Sequence, residues 1–522
     1  MTGLSLVPFP RTLRPRPGEF ALAAGTPVVA AREAEAAADA VRRVLAALPW
    51  PAGYPQASGE IRVELDAGLP AEGYRLLIGT DRVRLQTSGP AGAFCAAQTI
   101  RQLLPADAWR AAPSTVTPWT IPAAEIQDAP ALTWRGAHLD VARHFFPKPV
   151  VLRFIDMLAA HKLNRLHLHL TDDQGWRIES RRYPALHEIG SHRPGTQIGK
   201  DRATRDDVPH GGYYTLADLA EINAYAAQRM VTVVPELEVP GHARALLAAL
   251  PSLAAAPQAR EQSVATGWGI FPNIMAPLPS TLEVLGELFG ELLGAIPAGF
   301  VHIGGDECVL TDWKADPRVA AYQESAGLAS AEELHAYFLR QVADLLTDAY
   351  GARAIVWDEG FSSSSISTTA GTGLRPDTVV MAWHDGAVAR LAAKAGHDVV
   401  ATPEQLTYFD HAQAEGGREP LSIGGLTRIE DVAAFRPVPP EWPADAASRL
   451  LGTQFQLWTE YIKDSRALDY MTFPRACAFA EVAWSGEPAD WPAFRARLDE
   501  HLGRLAAAGV EYRPLAGPHP WQ

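Results

Sequence analysis

The chain has 522 residues, of which 47% are hydrophobic, so it can bury a large core and is long enough for two domains. Lys and Arg number 46 against 60 Asp and Glu, a formal net charge of −14, and no long basic run occurs. This balance argues against a nucleic-acid or anionic-membrane partner and is compatible with a neutral small molecule or a sugar.

Three cysteines, Cys95, Cys308 and Cys477, lie far apart in the sequence. They form neither a disulfide framework nor a CxxC metal motif. The opening stretch, "MTGLSLVPFPRTLRPRPG", has only a short apolar part broken by prolines, and no run of about 18 apolar residues follows anywhere. We therefore expect a soluble, cytoplasmic protein without a membrane partner.

Residues 1–127 are predicted to form a small α+β domain. The runs "PVVAAR", "IRVELD" and "YRLLIGTDRVRLQTS" are typical of strands, while "AEAAADAVRRVLAAL" and "GAFCAAQTIRQLL" are typical of amphipathic helices. Residues 112–130 are rich in proline and polar side chains, which predicts a linker.

Residues 128–522 show a different pattern, in which short apolar runs alternate with helical stretches. Eight such runs occur: "GAHLDVA", "RLHLHLTD", "MVTVVPELE", "GFVHIGGDE", "RAIVWDEG", "TVVMAWH", "HDVVATP" and "LLGTQFQLWTE". Eight β–α alternations predict an α/β protein with a (β/α)8 TIM barrel after the smaller domain. A doubly wound open sheet is the alternative, but no glycine-rich phosphate turn follows an early strand.

Most of these eight runs end in polar or aromatic side chains, and in a barrel the carboxyl ends of the strands carry the chemistry. Each feature alone has a structural interpretation, because acids cap helices, tryptophans fill cores and most histidines are simply hydrogen-bonded. Their convergence on one face instead predicts a polar pocket walled by indoles, as in a sugar-binding active site.

The adjacent acids Asp306 and Glu307 follow the fourth run, "GFVHIGG". Neighbouring residues in a strand point to opposite faces, so two acids that both act in catalysis are predicted to perform different tasks.

A metal site is an alternative, because His167 and His169 lie on one face of a predicted strand and an HxH pair can bind zinc. No complete ligand set follows in the sequence, so hydrogen bonds to neighbouring carboxylates are favoured for both histidines. We expect neither a metal nor another cofactor.

Five motifs together resemble the family 20 glycoside hydrolases, the β-N-acetylhexosaminidases. They are "WRGAHLDVARHFF", "LHLHLTDDQGWRIE", "PELEVPGHA", "HIGGDE" and "LWTEY", and they occur in the family's order between Trp134 and about Ser485. The resemblance implies an exo-acting, retaining enzyme that removes terminal β-GlcNAc or β-GalNAc. In that family the substrate's own 2-acetamido group is the nucleophile and an oxazolinium-type intermediate forms.

The resemblance also implies a role for each site residue. Glu307 is the expected general acid and base, and Asp306 is expected to orient the acetamido group. Substrate contacts are expected from Arg143, Trp357, Trp383, Tyr408, Asp410, Trp458 and Glu460, and support for Glu307 from Asp172, His242 and Glu238.

Two departures from the family pattern limit these expectations. Glu238 stands where many members have Asp, and the region "GGLTRIEDV" has no match for a tryptophan that stacks the leaving sugar.

The Ser/Thr-rich stretch 361–377 is expected to be a surface insertion. The competing hypothesis is a sugar-binding protein that does not catalyse a reaction. Such a protein is expected to have a damaged acid pair, whereas the acid pair of this sequence is intact. The natural oligosaccharide and the oligomeric state are not predicted.

Overall fold

The computed structural model describes residues 4–51, 59–113, 119–256, 262–365 and 373–520. In the first domain the described residues form one sheet with the strand order β1-β6-β4-β5-β3-β2. Helices α1 (Glu35–Ala46) and α2 (Pro90–Leu103) pack together beside it, and the predicted strands and helices are all present. The strands are β1 (Thr12–Leu22), β2 (Val28–Ala30), β3 (Glu60–Leu65), β4 (Tyr74–Ile78), β5 (Arg82–Thr87) and β6 (Trp119–Asp128).

The predicted linker at 112–130 is wrong for its second half, because β6 occupies it as an interior strand between β1 and β4. Pro122 misled the prediction, since proline cannot donate a hydrogen bond to a sheet. It pairs with Glu19 on β1, next to a register shift, while the pairing of β6 with β4 starts only at Ala124. β6 also extends one residue beyond the predicted domain boundary at 127.

The second domain is the predicted barrel. Among the described residues, eight parallel strands close on themselves in the order β7-β8-β13-β14-β15-β16-β17-β18. Two short antiparallel pairs, β9 with β10 and β11 with β12, lie in the connection after β8. The strands are β7 (Trp134–Asp140), β8 (Arg165–His169), β9 (Thr171–Asp172), β10 (Gly175–Trp176), β11 (His192–Arg193), β12 (His210–Gly211), β13 (Thr232–Glu236), β14 (Phe300–His302), β15 (Arg353–Trp357), β16 (Val379–Ala382), β17 (Val399–Ala401) and β18 (Leu450–Phe455).

Helices follow the barrel strands and bury their apolar faces against them, as a parallel barrel requires. They are α3 (Lys148–Ala160), α4 (Ala185–Glu188), α5 (Leu216–Ala227), α6 (Arg244–Ala249), α7 (Pro279–Ala295), α8 (Thr311–Ala315), α9 (Pro317–Ser325), α10 (Ala331–Tyr350), α11 (Asp358–Ser365), α12 (Gly386–Lys394), α13 (Glu404–Thr407), α14 (Ile429–Ala434), α15 (Ala444–Ala447), α16 (Ser465–Thr472), α17 (Arg475–Ser485) and α18 (Trp491–Ala507). In the part of the chain that the structure describes, none of the helices is long and apolar enough to cross a membrane.

The Ser/Thr-rich stretch does not begin as the expected loop. Its first residues, Phe361 to Ser365, continue helix α11, which starts at the acidic pair Asp358 and Glu359. Acidic residues in a first turn favour a helix because they complement its dipole. Residues 366–372 of the stretch lie outside the described residues.

One buried carboxylate joins the two domains. Asp128, at the end of β6, accepts hydrogen bonds from Tyr74 Oη (2.7 Å), Lys162 Nζ (3.0 Å) and Trp484 Nε1 (2.8 Å). Tyr74 belongs to the first domain, whereas Lys162 and Trp484 belong to the barrel. The carboxylate therefore connects the sheet to the base of the barrel at a site closed to water.

We expect Asp128→Ala to lower the free energy of unfolding by about 3–5 kcal/mol, because it leaves the buried Lys162 ammonium without its counter-charge. Glu125→Ala is the matched control on the same strand, since it removes only an exposed ion pair with Arg16 that is worth about 1 kcal/mol or less. Urea unfolding curves of both variants measure the difference. Equal midpoints for the two variants would show that Asp128 does not hold the domains together.

Candidate active site

A cavity of about 200 Å³ opens where the barrel strands end. All the site residues predicted from the sequence line it: Arg143, Asp172, Glu238, His242, Asp306, Glu307, Trp357, Trp383, Tyr408, Asp410, Trp458 and Glu460. They come from segments spread over more than 300 positions of the chain and meet because parallel strands deliver their carboxyl ends to one face.

The carboxylate pair sits in a turn and not on the strand itself, which corrects the expectation for this segment. β14 ends at His302, and the next residues adopt left-handed backbone angles: φ is 66° at Gly304, 93° at Gly305 and 47° at Glu307. The alternation of a strand therefore does not apply, and both acids reach the same cavity. A left-handed glutamate costs about 1–3 kcal/mol, and such strain concentrates at functional sites.

Gly304 is required because Glu238 packs directly against it. A Cβ atom added at Gly304 would come within 1.6 Å of Glu238 Oε2. The Glu238 carboxyl is buried and has no hydrogen-bond partner among the described residues. Burial raises its pKa well above the ordinary value, and the charges of Asp306 and Glu236 raise it further. Both effects favour the neutral form of the carboxyl that packs under the turn.

His242 lies between two pairs of acids. Its Nδ1 is 3.3 Å from Asp173 Oδ2 and 3.5 Å from Asp172 Oδ1, and its Nε2 is 3.5 Å from Asp306 Oδ2 and 3.4 Å from Glu307 Oε2. Burial alone would lower the pKa of this imidazole, but Asp172 and Asp306 outweigh burial and raise it well above its usual value. His242 is therefore a cation that links the carboxylate pair to the acids after β8.

The acids after β8 are connected in turn to the barrel core through Glu236. This buried carboxylate contacts His167 Nε2 (3.0 Å), His302 Nδ1 (2.7 Å) and Trp357 Nε1 (3.1 Å), and it also bonds His169 Nδ1. The HxH pair thus makes the carboxylate contacts that were favoured over metal ligation. His138, His167 and Glu236 are close enough to share an ion, so the expected lack of a metal stays a prediction.

Arg143 faces the cavity from the opposite wall. Its guanidinium contacts Asp172 Oδ2 (2.9 Å), Asp140 Oδ2 (3.4 Å) and Gln174 Oε1 (3.0 Å), and it lies 5.1 Å from the ring centroid of Trp458. Burial would lower the pKa of this group, but the surrounding carboxylates, Asp172 first, hold it well above its usual value. A guanidinium fixed on three sides offers its remaining N–H groups in a defined direction.

Aromatic rings form the walls between these charges. Trp357 and Trp458 lie 5.8 Å apart between ring centroids, and Trp383 stacks on Tyr408 at 6.1 Å with 27° between the planes. The Trp383 indole donates to Glu359 Oε2 at 2.9 Å, which fixes the orientation of the ring. Such faces suit the apolar side of a sugar ring and the plane of an amide.

Besides Glu238, three carboxylates have an oxygen without a hydrogen-bond partner in the described part of the chain: Asp306 Oδ1, Asp410 Oδ1 and Glu460 Oε2. Burial raises the pKa of Asp410 well above its ordinary value, with Glu460 adding to the effect, and burial likewise raises the pKa of Glu460. Native proteins rarely leave buried polar atoms unpaired, so these oxygens are positions at which hydroxyl or amide donors of a ligand are expected.

Several residues of the site were not selected from the sequence. Gln174 holds Arg143, Glu359 holds Trp383, and Glu404, His411 and Ile423 complete the cavity wall. Glu359 stood in the motif "WDEG", two positions after the predicted Trp357, and could have been found from that position. Gln174 carried no signal, because a glutamine in a loop is ordinary.

A closed (β/α)8 barrel with an acid pair and an indole-walled pocket at its carboxyl face is the architecture of a carbohydrate-active barrel enzyme. The family model "Glycosyl hydrolase family 20, catalytic domain" matches residues 132–487, and "Glycosyl hydrolase family 20, domain 2" matches residues 3–129. The chain belongs to glycosyl hydrolase family 20.

Individual relatives agree with this assignment. The chain is 36% identical to the beta-hexosaminidase of Porphyromonas gingivalis over 98% of its own length, and it spans only 64% of the length of that relative. It is 33% identical to the beta-hexosaminidase of Vibrio furnissii, with 91% of this chain and 76% of that protein covered.

Solved structures show the same fold. The exo beta-N-acetylglucosaminidase of Vibrio harveyi in complex with N-acetylglucosamine superposes with a TM-score of 0.83 at 30% identity, covering 99% of this chain and 79% of that one. The beta-N-acetylhexosaminidase of Streptomyces coelicolor superposes with a TM-score of 0.81 at 30% identity, covering 100% and 99%.

Glu359 gives the site a testable dependence on pH. Burial, with Asp306 and Asp358 adding to it, raises the pKa of this carboxyl to about 9. In the unfolded chain the pKa is about 4.3, so between these values the folded state holds a proton that the unfolded state releases. The contribution to the free energy of unfolding is therefore complete below about pH 4.3 and is lost as the pH rises to about 9.

We expect Glu359→Gln, which keeps an acceptor for the Trp383 indole, to remove this dependence. From pH 5 to 8 the wild type should lose stability relative to the variant, by at most about 1.4 kcal/mol per pH unit. Urea unfolding at each pH measures the difference, and Glu324→Gln, on the exposed side of α9, is the control. Parallel curves for wild type and Glu359→Gln would contradict a neutral Glu359.

Proposed function

We propose that this protein is an exo-acting, retaining β-N-acetylhexosaminidase that removes terminal non-reducing β-GlcNAc or β-GalNAc. The observation that carries the proposal is the turn that presents Asp306 and Glu307 to one cavity in a chain of glycosyl hydrolase family 20. A cavity of about 200 Å³ is smaller than the usual range for drug-sized ligands, about 300–1,000 Å³, and so suits a single sugar residue.

The proposed mechanism uses the substrate's 2-acetamido carbonyl oxygen as the nucleophile. Tethered beside the anomeric carbon, this oxygen reacts with the high effective molarity of an intramolecular group. The resulting bond gives an oxazolinium-type intermediate, and water opens it in the second step.

Asp306 and Glu307 then have separate tasks. Glu307, whose side chain is about one-third exposed, protonates the leaving oxygen and later takes a proton from the attacking water. Asp306 is more deeply buried, and its unpaired Oδ1 accepts the acetamido N–H and offsets the positive charge that develops there. The cationic His242 touches both acids and keeps their spacing.

The remaining residues of the cavity are proposed to contact the rest of the sugar ring. Arg143 donates to the 3- and 4-hydroxyls, while the unpaired oxygens of Asp410 and Glu460 accept from other hydroxyls. Tyr408 holds the acetamido oxygen. Trp357, Trp383 and Trp458 enclose the acetamide and the ring face.

The acetamido requirement is the first test. Two aryl β-glycosides with the same leaving group are compared, one derived from N-acetylglucosamine and the other from glucose. We expect hydrolysis of the acetamido sugar and at least about 10⁴-fold slower hydrolysis of the glucoside, because the nucleophile itself is missing. Equal rates would contradict the mechanism. Binding of N-acetylglucosamine without hydrolysis of either compound would favour a silent sugar-binding protein, and loss of activity in excess chelator would favour a metal site at His167 and His169.

The division of labour is tested with leaving groups of different acidity. Glu307→Gln should lose about 10²–10⁴-fold in kcat/KM on an alkyl leaving group but much less on dinitrophenolate, which departs without a proton. Asp306→Asn should lose about 10²–10³-fold in kcat/KM on both substrates, because the acetamido group must be oriented before the glycosidic bond of either substrate breaks. If both variants responded alike to leaving-group acidity, the two assigned roles would be wrong.

A further inference from the structure

A second cavity, of about 610 Å³, shares no lining residue with the candidate active site. It is bounded by the loop that carries Arg202 and Arg205, by Arg244 at the start of α6, and by Trp268 and Phe271. Three arginines line it, and no carboxylate of the described residues does.

The two loop arginines are held in place by the opposite wall. Arg205 Nε donates to Thr266 Oγ1 at 2.8 Å, and its Nη1 donates to the backbone carbonyl of Arg202 at 2.6 Å. Its Nη2 lies 3.0 Å from the position of a Cβ added at Gly267, and Arg202 Nη2 lies 3.2 Å from that of a Cβ added at Gly269. Both guanidinium groups therefore rest against a strip of backbone that has no room for side chains.

Neither Arg202 nor Arg205 forms an ion pair with a carboxylate in the described ranges of the chain. The neighbouring acid Asp201 forms no ion pair with them; its carboxylate accepts from Thr204 Oγ1 and from the backbone N–H of Ala203, and these hydrogen bonds, followed by the nearby charge of Arg205, lower its pKa. Both guanidinium groups line the same cavity, and their positive charges favour an anion there. Guanidinium groups bind sulfate, phosphate and carboxylate through paired N–H donors, and the adjoining indole and phenyl rings offer a surface for a sugar face.

Hydrogen bonds connect this cavity to the sugar-binding arginine. Gln174 accepts from Arg143 Nε at 3.0 Å and donates from its own Nε2 to the carbonyl oxygen of Gly267 at 2.9 Å. The backbone N–H of Ala265 donates to the carbonyl oxygen of Asp173 at 2.9 Å. The wall that supports Arg202 and Arg205 therefore also positions Gln174 and, through it, Arg143.

We propose that this cavity is an oxyanion-binding site that takes the sulfate, phosphate or carboxylate group of an anionic saccharide attached to the sugar in the active site. Free inorganic phosphate has the same recognition chemistry and is the alternative source. An anion in this cavity accepts charge-assisted hydrogen bonds from the two arginines and so stabilises the 262–271 wall against which they pack. Binding of the anion does not depend on the proposed hydrolytic activity.

Binding is tested by calorimetric titration of the whole protein with sodium sulfate and with inorganic phosphate at constant ionic strength. We expect saturable binding by the wild type and at least about tenfold weaker binding by the Arg202→Gln, Arg205→Gln double variant. Arg14→Gln, on exposed β1, is the matched control and should bind as the wild type does. An unchanged melting temperature shows that the double variant is folded. No heat of binding in the wild type, or equal binding by the double variant, would overturn the proposal.

The source of the anion is tested with paired β-N-acetylglucosaminides whose leaving saccharide is either neutral or sulfated. If the anion is part of the substrate, the wild type should show a several-fold lower KM for the sulfated member at similar kcat, and the double variant should lose this preference. Sulfate binding without any such preference assigns the site to a free anion. A preference that survives in the double variant would show that the sulfated group binds elsewhere.

Discussion

The site depends on one backbone constraint, the left-handed turn between β14 and Glu307. Gly304 must have no side chain, because Glu238 fills the space beneath it, and the positive φ angles carry the chain from strand direction into the cavity. Asp306 and Glu307 are adjacent in sequence and yet both line one cavity. A strand would have directed them to opposite sides of the sheet, and a helix would have set them about 100° apart.

The positions of the ionisable side chains around this turn, and how deeply they are buried, determine the balance of charge there. Burial raises the pKa of Glu238, Asp172 and Asp306 raise the pKa of His242, and Asp172 is held on its other side by Arg143 and by His169. Glu236 then anchors the histidines within the barrel core. Groups fixed in this way need little rearrangement when charge develops on a substrate, which is the physical basis of electrostatic catalysis.

The sequence predicts the fold well because parallel barrels leave a strong pattern. Each of the eight apolar runs became a barrel strand, and the polar residues at their ends meet at one cavity because the topology requires it. The interior strand β6 was missed, because Pro122 is tolerated beside a register shift that no local pattern shows. The role of Gln174 could not be predicted either, since it acts through a contact that forms only after folding.

The stereochemistry of the first product tests the central claim most directly. ¹H NMR of an aryl β-N-acetylglucosaminide digest, recorded before mutarotation, shows which anomer of the free sugar is released. In the proposed mechanism the acetamido oxygen and then water each attack the anomeric carbon from the face opposite the departing group, so two inversions restore the original configuration. The β anomer is the predicted first product. The α anomer would mean a single displacement by water and would contradict the roles given to Asp306 and Glu307.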